Sequence, residues 1–225
     1  MSTAEILIKE NNEKRKELSD ENLDYYEDML VYIRLSFSKS EIATEEVLSE
    51  LLNHLLDAQE NGKTAYEVFG NNPKGYVEEI IGELPKKIPN NFLKYFFMGA
   101  LFFFGVKEFF EGIVNLILYY GFSKGSLEET IYVGTMLINV IILLTIAFAL
   151  IYLLILIIRW STFKKLHSVL EFLIYWIWSI ISFGIFFVII YFMPDFGPEL
   201  QMLIWMPIAF GSILLLFGWY VFKKI

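Results

Sequence analysis

Between Ile131 and Ile158 the chain runs for 28 residues without one Asp, Glu, Lys or Arg. No other feature restricts it so strongly. A helix of about 20 apolar residues crosses the roughly 30 Å hydrocarbon layer of a bilayer. A buried soluble helix of that length would need an apolar shell on every side. Two further runs behave alike: Leu200–Phe222 is uncharged, and Leu170–Met193 carries only Glu171 near its start. A fourth, Phe92–Tyr120, is uncharged from Tyr95 onward except for Lys107, Glu108 and Glu111. We read it as one long spanning helix; the competing account is a short span to Val106 followed by an interfacial helix. The expected spans are therefore 92–120, 131–158, 170–193 and 200–222.

The charges that the second half lacks are concentrated in the first. Residues 1–91 hold 10 Lys/Arg and 19 Asp/Glu, net −9, and residues 92–225 hold 8 and 7, net +1. The partition predicts an all-α protein: an acidic helical domain over residues 1–90, then a four-helix transmembrane bundle over 91–225. Basic residues give the orientation, because cytoplasmic flanks of spans are enriched in Lys and Arg. Lys86, Lys87 and Lys94 precede the first span, Arg159, Lys164 and Lys165 join the second to the third, and Lys223 and Lys224 end the chain. The intervening connections carry Glu128, Glu129, Asp195 and Glu199. Both termini are thus expected in the cytoplasm of a multi-pass cell-membrane protein. The charged start, Met1 to Leu18, has no apolar core and does not read as a signal peptide.

Absences narrow the chemistry. The chain has no cysteine, which removes disulfides, thiolate metal sites and thiol nucleophiles. Only His54 and His167 offer imidazole groups, and they fall in different modules. A formal GxSxG, Gly121–Gly125, lies between two apolar helices, not at the strand-to-helix elbow that activates such a serine. The acidic first module is a poor match for nucleic acid. We expect a non-enzymatic protein without cofactors.

Three constellations stand out as candidate sites. Lys107, Glu108, Glu111 and Asn115 share one side of a helix, and ionisable groups at membrane depth mark functional sites by default. They form either a polar site between helices or a paired, solvated group at the outer boundary. Pro207, inside the fourth apolar run, is a candidate kink. Glu50, His54 and Asp57 lie at i, i+4 and i+7, a spacing at which three ligands can hold a divalent ion, although a solvated helix face produces it equally well.

Capping signals divide the first module into helices near 3–18, 20–35, 44–61, a short turn of helix from Thr64 to Gly70, and 74–83. Pro85 and Pro89 then make a short, stiff linker to the membrane. The run Gly62-Lys63-Thr64-Ala65-Tyr66-Glu67-Val68-Phe69-Gly70-Asn71-Asn72-Pro73, with Tyr25-Tyr26-Glu27-Asp28 before it, resembles small helical domains of uncharacterised bacterial membrane proteins, mostly Gram-positive. These are the HAAS-type domains and related families of unknown function. The extra helix 44–61 departs from the HAAS pattern and favours the related families. The resemblance implies an accessory or signal-transducing membrane protein and carries over no catalytic residue. Two functions follow as expectations. In one, residues 1–90 bind a protein partner. In the other, a small transporter uses the Lys107 group and requires a homo-oligomer, since four helices alone enclose little pore.

Overall fold

The N-terminal module is built on two helices with the same apolar period. In the second, Tyr26, Met29, Leu30 and Ile33 are buried, and in the third Leu48, Leu51, Leu52 and Leu55 are buried. Each set follows i, i+3, i+4, i+7, one face of a helix. The computed structural model describes residues 3–36, 39–87, 92–164 and 166–224. In chain order it contains α1 (Thr3–Lys14), a 3-10 turn (Arg15–Glu17), α2 (Asp20–Arg34), α3 (Glu41–Glu60), α4 (Ala65–Phe69) and α5 (Pro73–Glu83). There follow α6 (Phe92–Phe122), β1 (Glu128–Tyr132), α7 (Val133–Ser161), α8 (Ser168–Phe192), β2 (Glu199–Leu203) and α9 (Met206–Phe222).

Most local signals act where expected. Gly62 ends α3 with a φ of 72°, and Gly70 ends α4 with a φ of 83°. At the start of α4 the Glu67 carboxylate accepts from the Thr64 backbone N–H at 2.7 Å, one arm of a capping box. Asn72 accepts from Gly75 N–H at 3.1 Å, and Pro73 occupies the first turn of α5. Two boundaries differ. The first helix stops at Lys14 and tightens into the 3-10 turn. The third begins at Glu41, three residues before Thr44, because Ser40 is tied down by its N–H to the Pro85 carbonyl at 3.0 Å. Thr44 is then buried within the helix. The Pro89 half of the proline linker lies outside the described residues.

The protein is mostly helical, yet the all-α expectation needs correction. Residues 128–132 and 199–203 form a two-stranded antiparallel sheet, with Glu128 opposite Leu203 and Tyr132 opposite Glu199. An uncharged run cannot by itself distinguish strand from helix, and Thr130-Ile131-Tyr132 is β-branched and aromatic, which suits a strand. The strand pair takes the first residues of two expected spans, so α7 starts at Val133 and α9 at Met206. The 194–197 turn wraps Thr135, whose hydroxyl accepts from Phe196 N–H at 2.9 Å and donates to the Pro194 carbonyl at 2.9 Å. At Gly197, with φ 95°, a Cβ would stand 2.6 Å from the Gly134 nitrogen.

Two helices, α7 and α8, are long and apolar enough to cross a membrane. The chain divides into two units. One comprises Met1–Pro89 with Tyr152–Trp176, and the other Asn90–Ile151 with Ile177–Ile225. The end of α7, the start of α8 and their link therefore group with the first module rather than with the other apolar helices.

Within the second unit, α6 and α9 pack backbone against backbone. A Cβ on Gly211 would lie 2.5 Å from Phe109 N and 2.7 Å from the Gly105 carbonyl; one on Gly112 would lie 2.9 Å from Ile208 N. Gly105 and Gly112 are seven residues apart, as are Gly211 and Gly218, so each pair lies along one seam of its helix. Glycine, having no Cβ, permits this close approach of two backbones. Gly99 and Gly184, equally apolar in context, have no neighbour within 4 Å.

Candidate functional site

Tyr32, near the end of α2, combines a hydrogen bond, a ring contact and a cation over its face. It is 4% exposed. Its hydroxyl donates to Glu78 Oε1 on α5 at 2.9 Å. Its ring lies 5.1 Å from that of Phe163, and the Arg159 guanidinium carbon sits 4.4 Å from the ring centre. Arg159 ends the apolar part of α7, and Phe163 belongs to the link to α8. Among the described residues, Arg159 Nε has no hydrogen-bond acceptor. The aromatic face is therefore its recorded support, and a cation over a partly desolvated ring is stabilised by about 1–2 kcal/mol. Phe163 also packs against the apolar core of the helical module. One tyrosine thus joins α2, α5 and the α7–α8 link.

The residues around Tyr32 hold α2 rigid. Arg34 donates from Nε to Glu45 Oε1 at 2.8 Å and from Nη2 to Oε2 at 2.7 Å, and Glu45 is 3% exposed. Such a two-point pair fixes orientation as well as distance. The Tyr25 hydroxyl donates to the Gly70 carbonyl at 3.0 Å, and the Tyr26 hydroxyl to the Leu48 carbonyl at 3.0 Å. Burial pushes both phenols up to about 12, with Tyr66 and Tyr76 adding to the effect at Tyr25 and the Asn11 hydrogen bond opposing it at Tyr26. Both hydroxyls therefore remain donors across the physiological range. Asn22 accepts from the Ala65 N–H at 2.7 Å and donates to Gln59 Oε1 at 3.0 Å. Tyr25 and Asn22 thus tie the Gly62–Pro73 segment to α2.

A groove of about 460 Å³ opens between α3 and α5. Val47 and Leu51 from α3 and Tyr76 and Ile80 from α5 form its apolar lining, and Glu46, Glu50 and Glu83 rim it. Glu50 and His54 both belong to this lining, whereas Asp57 lines a different depression with Asn61 and Lys63. All three face solvent. Among the described residues no group of three or more His, Asp or Glu is placed to hold a metal ion. The candidate triplet is therefore split between two surface features.

In the second unit Lys107 Nζ lies 2.8 Å from Glu108 Oε1 and 2.6 Å from Glu111 Oε2. Asn115, one turn further, donates to Glu129 Oε1 on β1 at 2.6 Å. Burial raises the Glu129 carboxyl above its ordinary range, the nearby Glu111 adds to this, and the Asn115 hydrogen bond opposes it. The polar stripe thus leads to β1. All of it lies on α6, which continues as one helix from Phe92 to Phe122 without a break at 107–112. Ser123, with φ 54°, follows the end of α6, and Lys124 N–H bonds to the Leu118 carbonyl. That is a helix terminus rather than a nucleophile elbow. Pro207 is in the first turn of α9. There the missing N–H has no helical partner to lose, so it starts the helix and does not bend it.

Sequence reasoning missed Tyr32, Arg159 and Phe163. Tyr32 reads as one more apolar position, and Arg159 and Phe163 as parts of a basic connection; nothing local reports a contact across 127 residues.

Residues 17–225 match the model of a family described as "Protein of unknown function (DUF1129)". The chain belongs to that family. Membership in DUF1129 agrees with the resemblance to uncharacterised helical families, and its description assigns no activity to the Tyr32 seat or to the groove. No curated protein matches the chain, and no solved structure matches it.

Proposed function

We propose that this DUF1129 protein is a non-enzymatic membrane protein whose helical module binds a protein partner and transmits that state to the membrane helices. The observation that carries the reading is the Tyr32 seat. A partner that shifts α2 or α5 must disturb either the Tyr32–Glu78 hydrogen bond or the Arg159 and Phe163 contacts on the same ring. The resemblance of residues 20–84 to HAAS-type and related accessory domains points the same way.

In this reading α6, α7, α8 and α9 all cross the bilayer, with both termini in the cytoplasm. Lysines set on aromatic rings at the ends of α7 and α9 support cytoplasmic ends for these helices. Lys164 lies 3.3 Å from the Trp160 ring centre, Lys223 lies 3.9 Å from that of Trp219, and Lys224 lies 4.5 Å from that of Tyr220. Aromatic rings with basic neighbours are the expected furniture of a cytoplasmic interface. The outer boundary follows from α9. Its first turn meets α6 at Gly112, so Glu111 stands near that level and Lys107 about one turn deeper. Glu111 is 47% exposed, and the Lys107 charge is met by two carboxylates. This supports the paired, boundary reading of the cluster over a conduction path.

The test is capture by the full chain, solubilised in mild detergent from membranes of its native host. The wild type should enrich one specific membrane or regulatory protein, across several salt and detergent conditions. Recovery of nothing above background contradicts the proposal.

A further inference from the structure

The geometry points to the α3–α5 groove as the docking site for a basic amphipathic helix of the partner protein. The inference rests on the partner-binding reading and gives it a place and a chemistry.

The groove has the form such a ligand needs. On α3 its lining residues Ala43, Val47, Leu51 and His54 follow i, i+4, i+8, i+11, with Glu46 and Glu50 along the same stripe. On α5, Tyr76, Ile80 and Glu83 follow i, i+4, i+7, and Leu84 adjoins them just past the helix end. Two helical stripes therefore face one trough. The α3 stripe runs for about 16 Å at 1.5 Å per residue, room for about three turns of a ligand helix. An amphipathic helix lays its i, i+3, i+4 and i+7 side chains into such an apolar floor.

Charge selects the ligand's sign. Glu46, Glu50 and Glu83 rim the trough, and no Lys or Arg is among its lining residues. Lys39 lies at the Leu84–Pro85 end, where its ammonium is held by the Leu84 carbonyl at 2.8 Å. The rim thus favours a ligand with Lys or Arg flanking its apolar stripe, and disfavours an acidic one. Membrane proteins carry such basic segments beside their spans on the cytoplasmic side. A partner in the same membrane would present the required chemistry there.

The chain's lack of cysteine makes the test direct. Full-length protein in detergent receives His54→Cys at the groove lip, labelled with an environment-sensitive fluorophore. The probes are two helical peptides of about four turns with the same Leu stripe, one flanked by Lys and one by Glu. The Lys peptide should give saturable binding that weakens about tenfold from about 0.1 M to about 1 M salt, where the Debye length falls from about 10 to about 3 Å. The Glu peptide should not bind. Val47→Asp with Ile80→Asp should abolish binding, and Glu46→Lys, Glu50→Lys, Glu83→Lys together should transfer preference to the Glu peptide. The milder Glu→Gln set at the same positions should reduce the salt dependence, and melting curves establish that each variant is folded. Equal binding of both peptides, binding insensitive to Val47→Asp with Ile80→Asp, or a signal that follows protein concentration without peptide, as self-association would give, overturns the inference. If capture from native membranes succeeds while the Lys peptide fails, the groove assignment falls and the partner reading stands. If the Lys peptide binds through the groove while capture fails, the groove's ligand chemistry stands, and its assignment to a partner protein falls with the partner reading.

Discussion

Gly211→Ala should be the most damaging single-methyl change in the α6–α9 pair. The added Cβ would meet Phe109 N at 2.5 Å, the Gly105 carbonyl at 2.7 Å and Phe109 Cα at 3.0 Å. All three are backbone atoms of α6, so no side chain can rotate away. Ordinary contact needs about 3.5–4.0 Å between carbon atoms, so the helices must part by about 1 Å at the crossing. Parting them loosens the neighbouring contacts, including the one at Gly112–Ile208. Overpacking of this kind costs about 1–3 kcal/mol. On the scale of about 2–4 °C per kcal/mol for a chain of this size, melting should fall by roughly 5 °C. Gly184→Ala is the control, because a Cβ there meets nothing within 4 Å. In a helix it should be neutral or stabilising by up to about 1 kcal/mol. Thermal unfolding in detergent, followed by circular dichroism, reads both. Equal melting temperatures for the two variants would refute the close-packed seam.

Other consequences are equally specific. Glu45→Gln removes the charge that pairs Arg34 within the module's core and should destabilise the full chain by about 2–4 kcal/mol, read as a lower melting temperature. Single cysteines at Lys124 and Asp195 should react with an impermeant maleimide on intact cells, while cysteines at Glu10 and Lys223 should react only after permeabilisation; any other pattern refutes four crossings with cytoplasmic termini. Glu129 has a raised carboxyl, so folding favours its protonated form. Its contribution favours the folded state at low pH and is lost as pH rises beyond the ordinary carboxylate range. Glu129→Gln should therefore remove part of that pH dependence and stabilise the protein at neutral pH, as measured by melting across a pH series.

How much of this was legible depends on how local each cause is. Thr64 with Glu67, Gly62, Gly70 and Pro73 act within one or two turns, and the sequence alone placed the helices they bound. The apolar faces of α2 and α3 were equally readable, because periodicity is a property of the helix itself. The two-stranded sheet was hidden, since residues 128–132 and 199–203 become strands by pairing with each other across some 70 positions. Pro207 was misplaced for the same reason: once β2 takes the start of the run, the proline falls in a first turn. Lys107, Glu108, Glu111 and Asn115 were recognised as a group in which Lys107 can pair with Glu111, but the Asn115 partner on β1 depends on strand pairing that no local pattern reports. The Tyr32 seat left no mark at all in the pattern of any one segment.

Tyr32 is the point where the helical module meets the α7–α8 link, and hydrogen exchange on the full chain measures that directly. Amides of residues 159–164 should exchange faster in Tyr32→Ala than in wild type, with the core of α3 still protected. Tyr32→Phe keeps the ring that Arg159 and Phe163 contact while losing the bond to Glu78, so it should leave the link protected. Unchanged exchange in the link of a folded Tyr32→Ala protein would contradict the coupling.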